Sequence, residues 1–290
     1  MKKSKIAILG ATGSIGLNLI KIIEKDKKNF EVVLLSANKK YKKLFNIAKK
    51  LKVKNIIISD PKSYKKLKNE NTDKKIKIYN NYNELNKIIK KRIDYVMNSI
   101  VGINGLDPTL KIIPLTKKIA IANKESIICG WSLIKKKLDR YNTNFIPVDS
   151  EHFSLWYGLK NIKINSIEKI YLTASGGPFY KKPLKSFDNI NIREALNHPN
   201  WKMGKKISVD SATLINKIFE VIEAKNIFNI PYNKIKILIH PKSYIHAMIR
   251  TNDGLIKIIA HETTMKIPIF NTLNFDNKKK ILFKKLNIKN

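Results

Sequence analysis

Five short stretches of this chain hold residue types whose spacing could do chemistry. Gly10-Ala11-Thr12-Gly13-Ser14-Ile15-Gly16 follows an apolar run and opens a helical pattern. Glycines there let a backbone approach a pyrophosphate, and a helix N-terminus offers N–H donors and a favourable dipole. The plainer reading is a tight packing turn. Asp149 and Glu151 stand at i and i+2 beside Ser150, a pair that can hold a hard cation or, more simply, cap a helix. Glu220 and Glu223 lie farther on, with Asn216 one helical turn before Glu220. Ser211, Asn216 and Lys217 offer a hydroxyl, an amide and a point charge, which together suit a phosphate. Ser175-Gly176-Gly177-Pro178 is a donor-rich turn that forms either a phosphate nest or only a turn. His198 and Trp201 share a loop that reads as an aromatic lid or as a surface loop pinned by the Trp.

The second apolar run ends in Ser36-Ala37-Asn38-Lys39-Lys40. An NAD site places an acid there to hold the ribose 2′-hydroxyl. Two lysines and no acid favour NADP, though lysine is common throughout the chain.

The elements that must position these residues alternate in the first half. Lys5–Gly10, Val32–Ala37 and Asn55–Asp60 read as buried strands. Further strands are expected at Lys75–Tyr79, Tyr95–Ile100 and Ile119–Ala122, with helices such as Ser14–Lys25 and Tyr41–Leu51 between. That alternation predicts βαβ units in a parallel sheet. The second half is less regular. Strands are expected at Ile167–Leu172 and Lys234–Ile239, and one helix at Ser211–Lys225. His240, His246 and His261 are expected in or near strands, with structural roles.

The chain has 290 residues, enough for about two domains. Its apolar fraction of 43% excludes a disordered chain, and no apolar run is long enough to span a membrane. The run after the basic Met1–Lys5 is too short for a signal peptide. The single cysteine, Cys129, cannot form an internal disulfide, so a cytoplasmic protein is expected. The net charge of +36 invites a nucleic-acid role. Only Arg92, Arg140, Arg193 and Arg250 of the 58 basic residues are arginine, and the lysines spread over nearly the whole chain. Base readout favours arginine, so nucleic acid is not the expected partner. Abundant Lys, Asn and Ile fit pressure toward A- and T-rich codons.

Taken together, the stretches resemble the 1-deoxy-D-xylulose 5-phosphate reductoisomerase family. The resemblance rests on GATGSIG (10–16), ANKES (122–126), PVDSEH (147–152), LTASGGPF (172–179), HPNWKMGKKISVDSATLINKIFEVIEA (198–224) and HPKSYIH (240–246). It runs from residue 1 to about 270. It implies a Rossmann-like NADPH domain at 1–148 followed by an α+β catalytic domain at 149–276, with a basic tail at 277–290. The resemblance assigns Thr12, Gly13, Ser14 and Ile15 to the NADPH phosphates, and Asn38, Lys39 and Lys40 to the region of the adenosine ribose. Asn123, Glu125 and Gly204 complete its cofactor site. Asp149, Glu151 and Glu220 are its ligands for Mg²⁺ or Mn²⁺. Lys124 and Ser150 contact the substrate, and Ser175, Ser211, Asn216 and Lys217 its phosphate. His198 and Trp201 belong to the closing loop, and Lys124, His198 and the three acids carry catalysis.

The implied reaction is metal-assisted rearrangement of a sugar phosphate followed by NADPH reduction, in a homodimer. Two differences from the family stand out: Lys40 replaces an Asn, and Ile218 replaces a Gly. The family's C-terminal helical domain is expected to be absent. Two rivals are a decayed basic relative kept as a binding protein and a different NADP reductase of the same fold.

Overall fold

The structure is a computed structural model. It describes residues 3–71, 73–201 and 204–274; the basic tail at 277–290 lies outside the described residues. The described residues form two compact units, one within 3–148 with 269–274, the other within 149–268.

In the first unit, β1 (Ser4–Leu9), β2 (Phe30–Ala37), β3 (Asn55–Ile58), β4 (Lys77–Tyr79), β5 (Tyr95–Asn98), β6 (Lys118–Ile121) and β7 (Asn144–Pro147) form one sheet. Their order is β4-β3-β2-β1-β5-β6-β7. Every pairing is parallel. Ile6, Ala7, Ile8 and Leu9 are fully buried, as are Leu34, Leu35 and Ile56–Ile58. Strands covered on both faces read as unbroken apolar runs, which is why they stand out in the sequence. The helices Ser14–Lys25 and Tyr41–Leu51 bury Leu19, Ile23, Leu44 and Ala48 in the same unit. Tyr95 donates or accepts a 2.8 Å bond with Thr272, so the late helix Lys266–Asn274 adds its second part to this unit.

Strand order reverses between β1 and β5. Open parallel sheets bind their ligands at such a switch point, outside the carboxyl ends of the strands. Gly10 follows β1 there and Ser99 follows β5.

In the second unit, β8 (Ile167–Ala174), β9 (Ile235–Ile239), β10 (Ile245–Thr251) and β11 (Ile256–Ala260) form a sheet in the order β11-β10-β8-β9. Only β8 and β9 pair in parallel. Leu155 from the helix Ser150–Gly158 and Ala224 from the helix Ile215–Phe228 pack with Ile170, Leu172, Ala247 and Ile249 of the sheet. This small core holds both carboxylate-bearing helices in place. Among the described residues, no helix is long and apolar enough to cross a membrane.

One expected element is corrected. The helix expected at Ser211–Lys225 is two helices, Lys205–Ala212 and Ile215–Phe228. Leu214 between them takes φ +60°, a left-handed conformation that breaks the helix. Ser211 and Asn216 therefore sit on different helices, and Ile207 and Val209 are helical. β10 and β11 were not separately expected.

Candidate functional site

The glycine loop is built by close approach. Gly10 has φ +80°, and a Cβ there would meet the Ser99 carbonyl oxygen at 2.6 Å. A Cβ on Gly16 would lie 2.7 Å from Ala11 Cα. The outer glycines thus press the loop onto β5 and onto itself. Gly13 instead caps the helix Ser14–Lys25, with no side chain bonding its first amides. The first helical bond runs from Leu17 N–H to Gly13 O at 2.9 Å. The amides of Ser14, Ile15 and Gly16 precede it and have no intrahelical acceptor. With Thr12 buried beside them, these amides could hold an anion.

Ser36 braces the glycine loop, a role that sequence reasoning missed. It is fully buried, and its Oγ accepts from Gly10 N–H at 3.1 Å and from the Tyr82 hydroxyl at 2.9 Å. Its carbonyl accepts from Ala11 N–H at 2.8 Å. Burial pushes the Tyr82 phenol up to about 12, so it stays protonated and donates. A serine inside a buried strand was the available signal.

Past β2, Asn38, Lys39 and Lys40 are all exposed. Asn38 Nδ2 donates to Ser59 Oγ at 2.9 Å. The acid in this region, Asp60, caps the helix Pro61–Glu70 by accepting from Ser63 N–H at 2.9 Å. That bond holds its carboxyl below the usual range, with Lys39 and Lys62 adding to the effect. Asn123 is buried and caps the helix Lys124–Arg140 by accepting from Ser126 N–H at 2.6 Å. Its Nδ2 also donates to Gly102 O at 2.5 Å. Lys124 is buried at the start of that helix, and Glu125 is half-buried.

In the second unit, ligand oxygens of Asp149, Glu151 and Glu220 all lie within 4.8 Å of one another. Asp149 caps the helix Ser150–Gly158 and accepts from Glu151 N–H at 3.3 Å, so the capping reading is met by a side chain that also lies in the carboxylate cluster. Glu220 is 1% exposed and Glu223 2%, so neither belongs to a solvated helix face. Asn216 Nδ2 donates to Glu220 Oε1 at 2.5 Å, the i, i+4 pair expected from the sequence. Three carboxylates held together by capping and buried packing suit an oxygen-seeking divalent cation.

Two basic groups serve this cluster. His152 is fully buried, and its Nε2 lies 2.8 Å from Glu220 O. Its Nδ1 lies 3.3 Å from Asp149 Oδ1 and 3.5 Å from Glu223 Oε2, ionic approaches without hydrogen-bond alignment. Burial lowers its pKa, but Glu223 and Asp149 outweigh that and push it up to about 9. Sequence reasoning missed His152, although it completes PVDSEH. Lys217 is 5% exposed. Its Nζ donates to Glu151 Oε1 at 3.2 Å, to Glu220 Oε2 and to the Thr173 carbonyl. Burial lowers its pKa, and the attraction of Glu151 and Glu220 raises it further than that, so it stays an ammonium. The sequence suggested a phosphate ligand; in this structure the ammonium lies on the carboxylates. Ile218, beside it in sequence, is exposed.

The remaining donors gather on the same unit. Gly177 has φ +73°, and a Cβ there would meet Ser211 O at 2.7 Å, so the Ser175–Gly177 turn lies against the end of the helix Lys205–Ala212. Ser175 Oγ lies 2.9 Å from His198 Nε2. His198 Nδ1 accepts from the N–H groups of Asn200 and Trp201 at 3.2 and 3.1 Å. Nδ1 is therefore unprotonated, and Nε2 carries the hydrogen and donates to Ser175. Burial lowers the His198 pKa, which agrees with a neutral ring. Trp201 meets His246 edge-on at 6.1 Å, and His246 stacks on His261 at 3.7 Å. Asn200 Nδ2 donates to Ser243 Oγ at 3.1 Å. The loop is thus tied to the middle and to the last residue of HPKSYIH. Ser150 is buried and bonds Glu151, and Gly204 caps the helix Lys205–Ala212 with open space around it.

Known proteins bear on this arrangement. The family model described as 1-deoxy-D-xylulose 5-phosphate reductoisomerase matches residues 6–130, and that of its C-terminal domain matches 145–228. The reductoisomerase of Pelagibacter ubique is 57% identical over 291 residues, covering 98% of this chain and 74% of that protein. The solved Zymomonas mobilis enzyme in complex with NADPH superposes with a TM-score of 0.90 at 33% identity, covering 99% of this chain and 75% of that one. A solved DOX-P reductoisomerase in complex with NADPH, fosmidomycin and magnesium gives a TM-score of 0.91 at 33% identity, with 99% and 73% covered. This chain belongs to the 1-deoxy-D-xylulose 5-phosphate reductoisomerase family.

Proposed function

We propose that the chain converts 1-deoxy-D-xylulose 5-phosphate to 2-C-methyl-D-erythritol 4-phosphate, using NADPH and a divalent metal. The observation that carries this reading is the convergence of Asp149, Glu151 and Glu220 in a chain of this family. Hydride transfer alone needs no such carboxylate trio, so an ordinary NADP reductase of the same fold fits less well. A decayed binding protein would have no use for a buried acid such as Glu220.

Asp149, Glu151 and Glu220 would hold Mg²⁺ or Mn²⁺, which would supply Lewis-acid polarisation of the bound substrate. The reaction would break and re-form a carbon–carbon bond of the substrate to give a branched aldehyde, which would accept hydride from NADPH on carbon and a proton on oxygen, leaving NADP⁺. The chain's own residues bind and orient. Ser175, Ser211, Asn216 and Lys217 hold the phosphate, whose remote binding energy positions the reacting carbons. Ser150 and Lys124 contact the substrate backbone. His198 and Trp201 close over it and exclude water. Thr12, Gly13, Ser14 and Ile15 cradle the cofactor's pyrophosphate, Lys39 and Lys40 meet its 2′-phosphate, and Asn38, Asn123, Glu125 and Gly204 line the rest.

A homodimer belongs to the same reading. β11 is an edge strand, and Leu255, Ile256 and Ile258 on it or beside it are exposed. An apolar edge invites pairing with a second copy. Work in a reducing cytoplasm suits a chain whose single cysteine is an exposed thiol.

The test is NADPH oxidation with deoxyxylulose phosphate, with and without Mg²⁺ or Mn²⁺. Turnover that requires the metal supports the reading. Turnover undiminished in chelator would overturn it.

A further inference from the structure

Lys217 occupies a place that the sequence did not suggest. Its ammonium bonds Glu151 and Glu220, two of the three carboxylates that converge for a metal. It sits in the first turn of the helix Ile215–Phe228, the end whose dipole disfavours a cation. The residue that starts that turn, Leu214, is in the left-handed region. Lys217 N–H donates to Leu214 O at 3.0 Å, so the backbone of Lys217 is fixed by this turn. The long side chain is then the part that can move.

A divalent metal binding these oxygens at about 2.0–2.1 Å would enter the space next to the ammonium. Two cations at that separation repel strongly, the more so in a buried setting. Meanwhile other polar groups are within the same neighbourhood. Asn216 precedes Lys217 in sequence. Ser211 is the next-to-last residue of the preceding helix, and the Ser175–Gly177 turn packs on the Ser211 carbonyl. The third bond of the ammonium goes to Thr173 O, two residues before Ser175.

We propose that the Lys217 ammonium and the divalent metal compete for the Glu151 and Glu220 oxygens. When the metal enters, Lys217 is released to the substrate's phosphate, so metal and phosphate bind with positive coupling. This rests on the metal reading above and adds to it an order of events. In the metal-free enzyme the lysine keeps the two acids together without mutual repulsion. In the loaded enzyme the same lysine is a phosphate ligand. The coupling is reciprocal, so phosphate must tighten the metal by the factor that the metal tightens phosphate.

The experiment is Mn²⁺ binding to the full chain, followed by the electron paramagnetic resonance signal of free Mn²⁺, without substrate or NADPH. Lys217→Met should tighten Mn²⁺ about tenfold or more, because the competitor is gone. In the unaltered chain, inorganic phosphate should tighten Mn²⁺ several-fold, and in Lys217→Met that linkage should vanish. Circular dichroism checks that the variant is folded. If it is not, the phosphate linkage in the unaltered chain decides alone, and its absence overturns the proposal. Equal or weaker Mn²⁺ binding by a folded Lys217→Met also overturns it, as does phosphate linkage that persists in that variant. Glu220→Gln separates the two claims. Weakened Mn²⁺ binding there with no effect of Lys217→Met defeats the exchange and leaves the metal site standing. Undiminished Mn²⁺ binding by Glu220→Gln defeats the metal reading itself.

Discussion

The two units place chemical groups by different means. In the first, the backbone is the instrument: Gly10 and Gly16 permit contacts that a Cβ would block, and no side chain bonds the first helix amides after Gly13. In the second, buried charged side chains are the instrument. Asp149, Glu151, Glu220, Lys217 and His152 hold one another, and the small core beneath them fixes the two helices. A backbone site tolerates changes of side chain and fails when a glycine is lost. A side-chain cluster tolerates little, since removing one charge strands its partner in a buried setting.

The largest expected effect follows from that contrast. Glu220→Gln should lower turnover by about a thousandfold or more, because it would remove one of the three acids proposed to hold the metal. NADPH affinity, which the proposal assigns to the other unit, should stay within about twofold. Fluorescence titration of NADPH beside steady-state kinetics reads both. A matching loss of NADPH binding would break the division of labour. The counterpart is Gly10→Ala. Its φ of +80° and the 2.6 Å approach to Ser99 O make any side chain strained. A cost of about 1–3 kcal/mol is expected, felt in melting temperature and NADPH affinity. Gly13→Ala should leave the melting temperature nearly unchanged, since its Cβ would come no nearer than 3.4 Å to Gly10 O. Equal losses in the two variants would show that the loop is not held by close approach at Gly10.

The same contrast explains what was legible in the sequence. Buried parallel strands write themselves as apolar runs, and β1, β2 and β3 lie within one or two residues of expectation at their shared ends or start. The end of β3 came earlier than expected, at Ile58, because Asp60 and Pro61 already begin the next helix. Ser36 was hidden because its partners, Gly10 and Tyr82, are distant in sequence. The break at Leu214 was hidden for a related reason: nothing in the local sequence asks a leucine to be left-handed, so tertiary packing has to impose it. The acids could be named from their scarcity and spacing, whereas the positions of Lys217 and His152 among them arise only when two helices meet.

A pH series sharpens the comparison next. Burial and the neighbouring cations, Lys217 and His240, depress His246 to about 4, with Asp149 and its bond to the His261 carbonyl opposing. His261, stacked on it, is depressed to about 3 by burial and by His246. Unfolded histidines titrate near 6.5. Between that value and about 4, the unfolded chain binds protons that the folded pair refuses. The stability from keeping both rings neutral is present above about pH 6.5 and is lost as pH falls toward 4. Melts followed near Trp201 should therefore weaken over that window, while the first unit, which carries no histidine, should weaken less. His261→Gln should flatten the slope. An unchanged slope in that variant would remove the stacked pair as its cause.

The smallest effect expected is at the ribose. Lys39 and Lys40 are exposed, and Asp60 is engaged in capping, so no acid is presented there as an NAD site would need. A solvent-exposed lysine on a phosphate gains only modestly, since water and salt screen it. Replacing both with Ala should raise the KM for NADPH by about tenfold, on the order of 1.4 kcal/mol, and leave the KM for NADH nearly where it was. The difference between the two cofactors should shrink further in the unaltered chain as salt is added, because the contact is electrostatic. An equal rise for both cofactors would mean that the lysines shape the loop rather than read the 2′-phosphate. A ratio of kcat/KM near one in the unaltered chain would mean that these lysines, like so many others here, are only part of its composition.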